Sequence, residues 1–334
     1  MANEPTARYP GISAQGFAHP AERAATAAIR TVPGLDRVVK LLTEHGYERR
    51  LRQLLTGNAL RLGDDQLPGI WALQVRCAEA LDVARCPRLY VTQEPVGSGL
   101  TVGTNEPVTL VSSGLVGSYS DDELTAVLGH EMGHVLADHV GLTTTLQLLQ
   151  MILRGAVRSV PLAGVPLAAV YLALLEWSRA AELTSDRASA IVTGEPLVVC
   201  ETLMRLAGGP VKDLNLDAFI RQAIEYEGEK DPFARYSRFF SEIATTHPFP
   251  VRRVRELVAW VSAGELDRIR SGTYLRRGQE PPPSEEFDAA LEHYRKRFSA
   301  MLERAGEGIS TVLDRISDWL GGHEGGSSPG SPTP

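Results

Sequence analysis

The chain has 334 residues, of which 43% are hydrophobic and 22% are charged, the composition of an ordinary globular protein that can bury a core without disulfides. Its formal net charge of −7 argues against binding of nucleic acid, which needs Lys and Arg to neutralise phosphates, and disfavours attachment to an anionic membrane. The three cysteines form neither a disulfide framework nor a C-x-x-C metal pair, so a reducing compartment is expected.

The N-terminal part of the chain is predicted to be mainly helical, with two short strands. Residues 1–20 are expected to form an irregular arm, and they lack the basic start and apolar run of a secretory signal. Residues 21–61 and 70–81 carry apolar side chains at helical spacing. Residues 88–92 and 107–112 have the composition of strands, and a glycine-rich passage separates them.

A further helix is predicted from Ser120 to about His139. Ser120 and Glu123 match a capping box, in which the cap hydroxyl and the later carboxylate satisfy each other's free backbone amides. Most other positions of this helix are apolar, which indicates burial, and Gly129 and Gly133 lie inside it. Glycine costs about 1 kcal/mol relative to alanine in a helix, so these positions are expected where another backbone or a substrate comes close.

This helix contains an H-E-x-x-H motif made of His130, Glu131 and His134. The two histidines are one turn apart on the same face, so both rings can bind one Zn²⁺ through nitrogen. Glu131 is then placed to act as general base on a water at the metal. The alternative is a chance match on a solvated face, but burial of these three side chains is costly unless they are paired or ligated.

Residues 159–175 are uncharged and largely apolar. A membrane-spanning helix needs roughly 20 apolar residues, and Pro161 and Pro166 interrupt the first half of this shorter run. A buried helix is therefore favoured over a hairpin that dips into a membrane. Helix is predicted over residues 166–192, and more helix follows to about residue 263.

A catalytic zinc needs a third protein ligand and an open fourth position. His139 is one candidate, but it lies five residues after His134, whereas the extended motif with three histidines requires six. Glu182 is favoured because it shares a helix face with Asp186, so that one carboxylate can bind zinc while the other accepts the N–H of a ligand histidine. The alternative is a surface acidic pair with arginine partners.

The C-terminal part of the chain is predicted to be separate from the main domain, which spans residues 21–275. Residues 276–283 form a proline-rich linker. Residues 284–320 carry two apolar stripes at helical spacing and are predicted to be a helical extension, which is either core, the favoured reading, or a lid or partner-binding element. Residues 321–334 are predicted to be a disordered tail.

Three blocks of sequence together resemble the HtpX-like and CAAX-prenyl-protease family of zinc metallopeptidases. The blocks are DELTAVLGHEMGHV at 122–135, WSRAAELTSDRA at 177–188 and THPFPVRRV at 246–254. Their order and spacing match the family, weaker similarity extends over roughly residues 10–262, and the chain resembles the branch without an N-terminal membrane anchor. The resemblance implies a zincin-like core of the gluzincin type that acts on proteins or peptides.

The resemblance also implies a role for each site residue. It makes Glu182 the third zinc ligand and Asp186 the residue that orients a ligand histidine. His247 matches a family histidine that is able to donate to the oxyanion of the tetrahedral intermediate, although a structural role at the turn before Pro248 is equally open. Arg253 is expected to hold the site together through an ion pair.

The predicted fold is α+β and mainly helical, with a small sheet at the edge of the cleft. The family has an Asn-Ala stretch at this edge, where the chain has VGSGLTV at 96–102, so the resemblance does not extend there. An extended substrate is expected to pair with the second strand. The residues expected at this substrate edge are Val108, Thr109, Leu110 and Val111.

The predicted function is that of a zinc-dependent metalloendopeptidase with one Zn²⁺ per chain, located in the cytoplasm, with peripheral membrane contact left open. Two rival hypotheses are a catalytically silent or latent zinc-stabilised binding protein gated by its C-terminal helices, and an integral-membrane protease. Glu131 argues against the first rival, because a structural zinc needs no base. The oligomeric state does not follow from the sequence.

Overall fold

The structure of the chain is a computed structural model. It describes residues 7–32, 34–44, 47–153, 167–209, 211–228 and 245–280, together with positions 288, 291, 292 and 296. Across these residues helices predominate and one small mixed sheet is present. The predicted α+β, mainly helical class is confirmed.

Four helices form the N-terminal region. They are α1 (Pro20–Ile29), α2 (Leu35–Glu44), α3 (Tyr47–Asn58) and α4 (Pro68–Ala80). The helical region predicted over residues 21–61 is therefore divided, and Gly34, with φ of 88°, provides a left-handed turn before α2.

The sheet has four strands in the order β1-β2-β4-β3. The strands are β1 (Leu60–Arg61), β2 (Arg88–Thr92), β3 (Gly99–Val102) and β4 (Val108–Ser112). β2 and β4 pair in parallel, and the other two pairs are antiparallel. Two strands were expected where β2 and β4 lie, whereas β3 falls in the glycine-rich passage, whose composition gives no strand signal.

The predicted substrate edge at Val108–Val111 is wrong. These residues lie in β4, which pairs with β2 on one side and with β3 on the other. Their backbone groups are therefore used inside the sheet, and Thr109 is fully buried. The edge strand of the sheet that contacts the H-E-x-x-H helix is β3. The prediction failed because tertiary pairing decides the order of strands, and strand propensity does not encode that order.

Four helices follow the sheet. They are α5 (Ser113–Ser118), α6 (Asp121–Leu136), α7 (Val140–Leu153) and α8 (Leu167–Thr193). The capping box is confirmed at the start of α6: the Ser120 backbone N–H donates to Glu123 Oε2 at 2.8 Å, and the Glu123 N–H donates to Ser120 Oγ at 3.3 Å. α6 ends before His139, because the chain turns at Asp138 with φ of 57°.

α6 and α8 pack closely against each other, and glycine makes this possible. A Cβ at Gly133 would lie 2.6 Å from Ala188 Cβ and 3.1 Å from Ser185 Cα, and a Cβ at Gly129 would lie 3.0 Å from Val192 Cβ. The distances to the Cβ atoms of Ala188 and Val192 are shorter than an ordinary van der Waals contact. The expectation that another segment comes close to these glycines is therefore confirmed, and that segment is α8.

The remaining described helices complete the core. They are α9 (Pro196–Gly208), α10 (Leu216–Gly228), α11 (Pro250–Ser262) and α12 (Glu265–Arg270). α11 contacts α8, α9 and α10. Along α11, Val254 and Leu257 are buried in the same apolar cluster as Leu128 and Met132 of α6. This packing brings α11 alongside the helices that carry the motif and Glu182.

The N-terminal arm packs against the segment predicted to be the linker. Tyr9 and Phe17 are buried in the main core, Ile12 forms an isolated β-bridge with Arg276, and the Arg277 N–H donates to the Gly11 carbonyl at 2.8 Å. The domain boundaries stay a prediction, but these contacts join both ends of the main domain. Apart from four isolated positions, the predicted extension and tail lie outside the described residues.

Only part of the predicted apolar run at 159–175 lies within the described residues. Its second half begins α8, where Val170, Ala173, Leu174 and Leu175 are buried. Among the residues described here, no helix combines the length and the apolar character that crossing a membrane requires.

Candidate metal centre and active site

Three side chains from two helices converge at the bottom of a cleft. His130 and His134 lie one turn apart on α6, and Glu182 lies on α8. The two Nε2 atoms are 3.1 Å apart, and each lies 3.3 Å from one of the Glu182 carboxylate oxygens. This is the set of three residues that the sequence predicts as zinc ligands.

The geometry of this cluster fits a metal ion. Ligand atoms at the corners of a tetrahedron with metal bonds of 2.0–2.1 Å are about 3.3 Å apart, close to the observed separations. Glu182 is only 4% exposed, and no donor among the described residues meets hydrogen-bond geometry at its Oε2, although the Arg253 guanidinium lies 3.2 Å away. A buried carboxylate oxygen without a well-directed donor is costly, and a cation bound between the three side chains would remove this cost.

Asp186 and Arg253 lie beside the cluster and also line the cleft. Asp186 Oδ1 lies 3.0 Å from His130 Nδ1, so His130 is held by the nitrogen that does not face Glu182. Arg253 donates to both carboxylate oxygens of Asp186, at 2.8 and 2.6 Å, and its Nη1 lies 3.2 Å from Glu182 Oε2. The contacts expected for Asp186 and Arg253 are therefore present.

The charges of these groups favour a cation at the cluster. Burial lowers the pKa of His130, but the negative charges of Glu182 and Asp186 outweigh it and raise that pKa to about 9. Burial lowers the pKa of His134 to about 4, so this ring is neutral, whereas a metal ion would displace the proton that the two carboxylates stabilise on His130. The pKa of Asp186 is lowered despite burial, chiefly by the charge of Arg253.

Glu131 lies beside the cluster and is bound to the sheet. The Thr101 hydroxyl of β3 donates to Glu131 Oε2 at 2.8 Å. Thr109 of β4 lies 3.1 Å from Thr101 Oγ1 and accepts from Gln74 at 3.2 Å, which forms a buried row of polar groups behind Glu131. Burial raises the pKa of Glu131 to about 7. Thr101 is a site residue that sequence analysis missed.

His247 is at the rim of the cleft. Its side chain is 54% exposed, and its Nε2 lies 3.6 Å from Glu182 Oε1. Its Nδ1 lies 2.7 Å from the Thr246 hydroxyl, which fixes the ring. The residue is therefore close to the cluster without forming part of it.

His139, the alternative third ligand, does not face the cluster. It is buried behind His134, with the two Nδ1 atoms 3.2 Å apart, and its Nε2 lies 3.2 Å from Glu22 Oε1 of α1. Burial would raise the pKa of Glu22, but the adjacent His139 and the Thr26 hydroxyl together lower it. The sequence gives no sign of this role of Glu22, because no local pattern links α1 to a motif so far along the chain.

The cleft above the cluster has an apolar wall and a polar floor. Apolar side chains from α6, α9 and the turn before α11 form the wall. They include Val127, Val199, Leu203, Leu206 and Phe249. The glycine-rich segment that enters β3 forms the opposite rim, from Gly97 to Thr101. An open, partly apolar cleft over a cluster of ligand atoms is the arrangement expected of a hydrolytic metal site.

The cluster, the adjacent carboxylate and the cleft together fit a metallopeptidase site. Residues 77–261, more than half of the chain, match peptidase family M48, and the chain belongs to this family. The predicted resemblance is therefore confirmed, and so is the prediction of an enzyme that cleaves peptide bonds.

Two named relatives support the assignment. The chain is 35% identical over 263 residues to the plastoglobule-localized metallopeptidase 48 of Arabidopsis thaliana, which covers 77% of this chain and 75% of that protein. It is 28% identical over 221 residues to a protease HtpX homolog of Moorella thermoacetica, which covers 58% of this chain and 72% of the relative. No solved structure was found to match the chain.

Proposed function

We propose that this chain is a zinc-dependent metalloendopeptidase that holds one Zn²⁺ through His130, His134 and Glu182. The observation that carries this proposal is the convergence of two Nε2 atoms and a buried carboxylate at 3.1–3.3 Å, beside a cleft and a second carboxylate. Two imidazoles and one carboxylate are a ligand set of catalytic zinc sites, which leave the fourth position open.

In this proposal, Glu131 is the general base. A zinc ion at the cluster supplies a Lewis acid that polarises the scissile carbonyl and lowers the pKa of a water. Oε2 of Glu131 accepts a hydrogen bond from the Thr101 hydroxyl, so Oε1 is the oxygen that takes the proton from the attacking water. Burial places the pKa of Glu131 at about 7, which suits a group that accepts and then returns a proton near neutral pH.

We assign His247 to the stabilisation of the oxyanion. Thr246 holds its Nδ1, which leaves Nε2 directed at the cluster. A ring N–H at this rim is able to donate to the oxygen that becomes negative when water attacks the carbonyl. Asp186 acts by orienting His130, and Arg253 acts by holding Asp186 and Glu182 in place.

The substrate backbone is proposed to pair with β3. The Ser112 N–H donates to the Ser98 carbonyl at 3.0 Å, so Ser98 belongs to a hydrogen-bonded pair of the antiparallel β3–β4 ladder. Because such pairs alternate along a ladder, Gly99 and Thr101 direct their backbone groups to the other side. An extended peptide that pairs there runs past Glu131.

Protein or peptide substrates follow from the family, and cytoplasmic localisation stays a prediction.

A catalytically silent binding protein is the rival function. A buried carboxylate with a raised pKa beside the three converging side chains has no purpose in a purely structural zinc site, so the catalytic reading is favoured.

Replacement of Glu131 by Gln tests the proposal. The variant keeps the shape and every proposed zinc ligand, so it is expected to bind one zinc per chain while its cleavage of casein or a peptide library falls by about 10²- to 10⁴-fold, the usual contribution of a general base. Cleavage rate and zinc content are measured together on wild type and variant.

Two results would contradict the proposal. One is a wild-type protein that contains one zinc per chain and cleaves no substrate, which would favour the binding protein. The other is a Glu131→Gln variant with full zinc content and unchanged cleavage, which would show that another group takes the proton.

A further inference from the structure

A row of buried polar side chains runs from His134 away from the cleft. His134 Nδ1 lies 3.2 Å from His139 Nδ1, and His139 Nε2 lies 3.2 Å from Glu22 Oε1. His139 is 1% exposed and Glu22 is 6% exposed. The row therefore joins the motif helix to α1 through the protein interior, where groups of this polarity need defined partners.

The positions of the atoms determine which nitrogen carries each proton. His134 Nε2 faces Glu182, so a metal at the cluster uses that nitrogen and leaves the proton of His134 on Nδ1. His139 Nδ1 must then accept that proton's hydrogen bond. The proton of His139 consequently sits on Nε2, which lies 3.2 Å from Glu22 Oε1.

Other side chains fix the far end of the row. The Thr26 hydroxyl donates to Glu22 Oε1 at 2.6 Å and accepts from Trp177 Nε1 at 2.8 Å. The Trp177 ring also packs edge-on against the His139 ring, with the centroids 5.5 Å apart. Both the carboxylate and the ring are therefore held in one orientation.

We propose that His139 and Glu22 are positioning residues for the metal, which hold His134 in the orientation and the tautomer that bind zinc through Nε2. The inference rests on the proposed function insofar as His134 is a zinc ligand. His139 acts through His134, and Glu22 acts through His139. His130 has its own partner in Asp186, so each histidine of the motif is supported by a separate carboxylate.

The dissociation constant of zinc tests this inference, measured by competition with a chromophoric chelator. His139→Ala removes the acceptor of the His134 N–H, and loss of such a partner typically weakens metal affinity 10- to 100-fold. His139→Gln restores an acceptor oxygen and is expected to recover part of the loss. Glu22→Gln keeps the shape but removes the charge, and is expected to weaken binding by less than His139→Ala.

The double variant tests whether the two residues act in series. If Glu22 acts through His139, adding Glu22→Gln to His139→Ala causes no further loss of zinc affinity, since coupled sites are not additive. Independent losses that add up would overturn the proposed row. Unchanged zinc affinity in folded His139→Ala would overturn the inference as a whole.

Glu123→Gln is the matched control for general loss of stability. Glu123 is also buried, and it binds Arg205 and caps α6 far from the cluster. Its variant is expected to unfold more easily while zinc affinity stays the same. If His139→Ala does not fold, Glu22→Gln and His139→Gln still decide the question, and wild-type zinc affinity in both would overturn the inference.

The outcomes separate this inference from the proposed function. A wild-type protein that binds no zinc would overturn both. A wild-type protein that binds zinc and loses it on Glu182→Ala, but not on His139→Ala or Glu22→Gln, would support the ligand set and overturn only the role of the buried row.

Discussion

Thr101 connects the proposed base to the sheet. Its hydroxyl donates to Glu131 Oε2 at 2.8 Å, and it is itself held by Thr109. The carboxylate therefore keeps one oxygen fixed and the other free for the reacting water. A charged group held in this way needs little reorganisation when the proton moves.

Removal of the Thr101 hydroxyl is expected to slow catalysis without loss of metal. A hydrogen bond to a charged group contributes about 1.5 kcal/mol or more, so Thr101→Val should lower kcat about tenfold. Thr101→Ser keeps a hydroxyl and is the matched control, expected to stay near the wild-type kcat. Equal activity of the Val variant and the wild type would rule out this role of Thr101.

The residues of the site differ in how far the sequence alone could reveal them. The motif residues are adjacent in sequence, and the spacing of Glu182 and Asp186 on one helix face is also a local signal, so these five side chains were predicted to come together. Thr101 reaches Glu131 because β3 packs against α6, and Glu22 reaches His139 because α1 packs against α8. No local pattern encodes that packing.

At the scale of elements, the close contact between α6 and α8 assembles the cluster. His130 and His134 come from one helix and Glu182 from the other, so the distance between the helices sets the distance between the ligand atoms. Gly133 lies at the narrowest point, where a Cβ would be 2.6 Å from Ala188 Cβ.

Gly133→Ala is therefore expected to destabilise the protein. Alanine favours a helix by about 1 kcal/mol over glycine, but overpacking of a close contact costs about 1–3 kcal/mol, and here the clash is expected to win. Adding Ala188→Gly removes the shortest contact and should recover part of the stability, while the contact with Ser185 Cα remains. Thermal unfolding and zinc affinity are measured on the single and the double variants.

Gly141→Ala is the control for helix propensity. Gly141 lies in α7 with nothing within 4 Å of an added Cβ, so the same substitution is expected to leave stability unchanged or to increase it. A Gly133→Ala variant as stable as Gly141→Ala, with wild-type zinc affinity, would contradict the account of the α6–α8 contact.

The sheet shows where prediction from local sequence failed among the elements. β2 and β4 are rich in β-branched and aromatic residues and were predicted, whereas β3 begins with Gly99 in a glycine-rich passage. Gly99 is required there, because a Cβ would lie 2.9 Å from Val127 Cγ1 and 3.0 Å from Glu131 Oε1. The close packing of β3 against the motif helix thus favours glycine, a residue with low strand propensity. For this reason β3 was not predicted, and the substrate edge was assigned to β4.

At the scale of the whole molecule, the site depends on segments from both ends of the main domain. α1 supplies Glu22, β3 supplies Thr101, and α11 supplies Arg253. The arm before α1 is held by residues beyond α12, where the Arg277 guanidinium contacts the Asp82 carboxylate and the Ile12 carbonyl. The predicted division into arm, domain and linker rests on local composition. Local composition carries no information about the distant residues that a segment contacts, so it could not predict these contacts.

The central claim is that one zinc ion binds between α6 and α8 at His130, His134 and Glu182. An anomalous difference map of the crystallised protein, recorded at the zinc absorption edge, tests it most directly. The account predicts a single strong peak per chain within about 2.0–2.2 Å of both Nε2 atoms and of a Glu182 carboxylate oxygen. A zinc-loaded protein whose peak lies elsewhere, or whose ion is held by other residues, would contradict it.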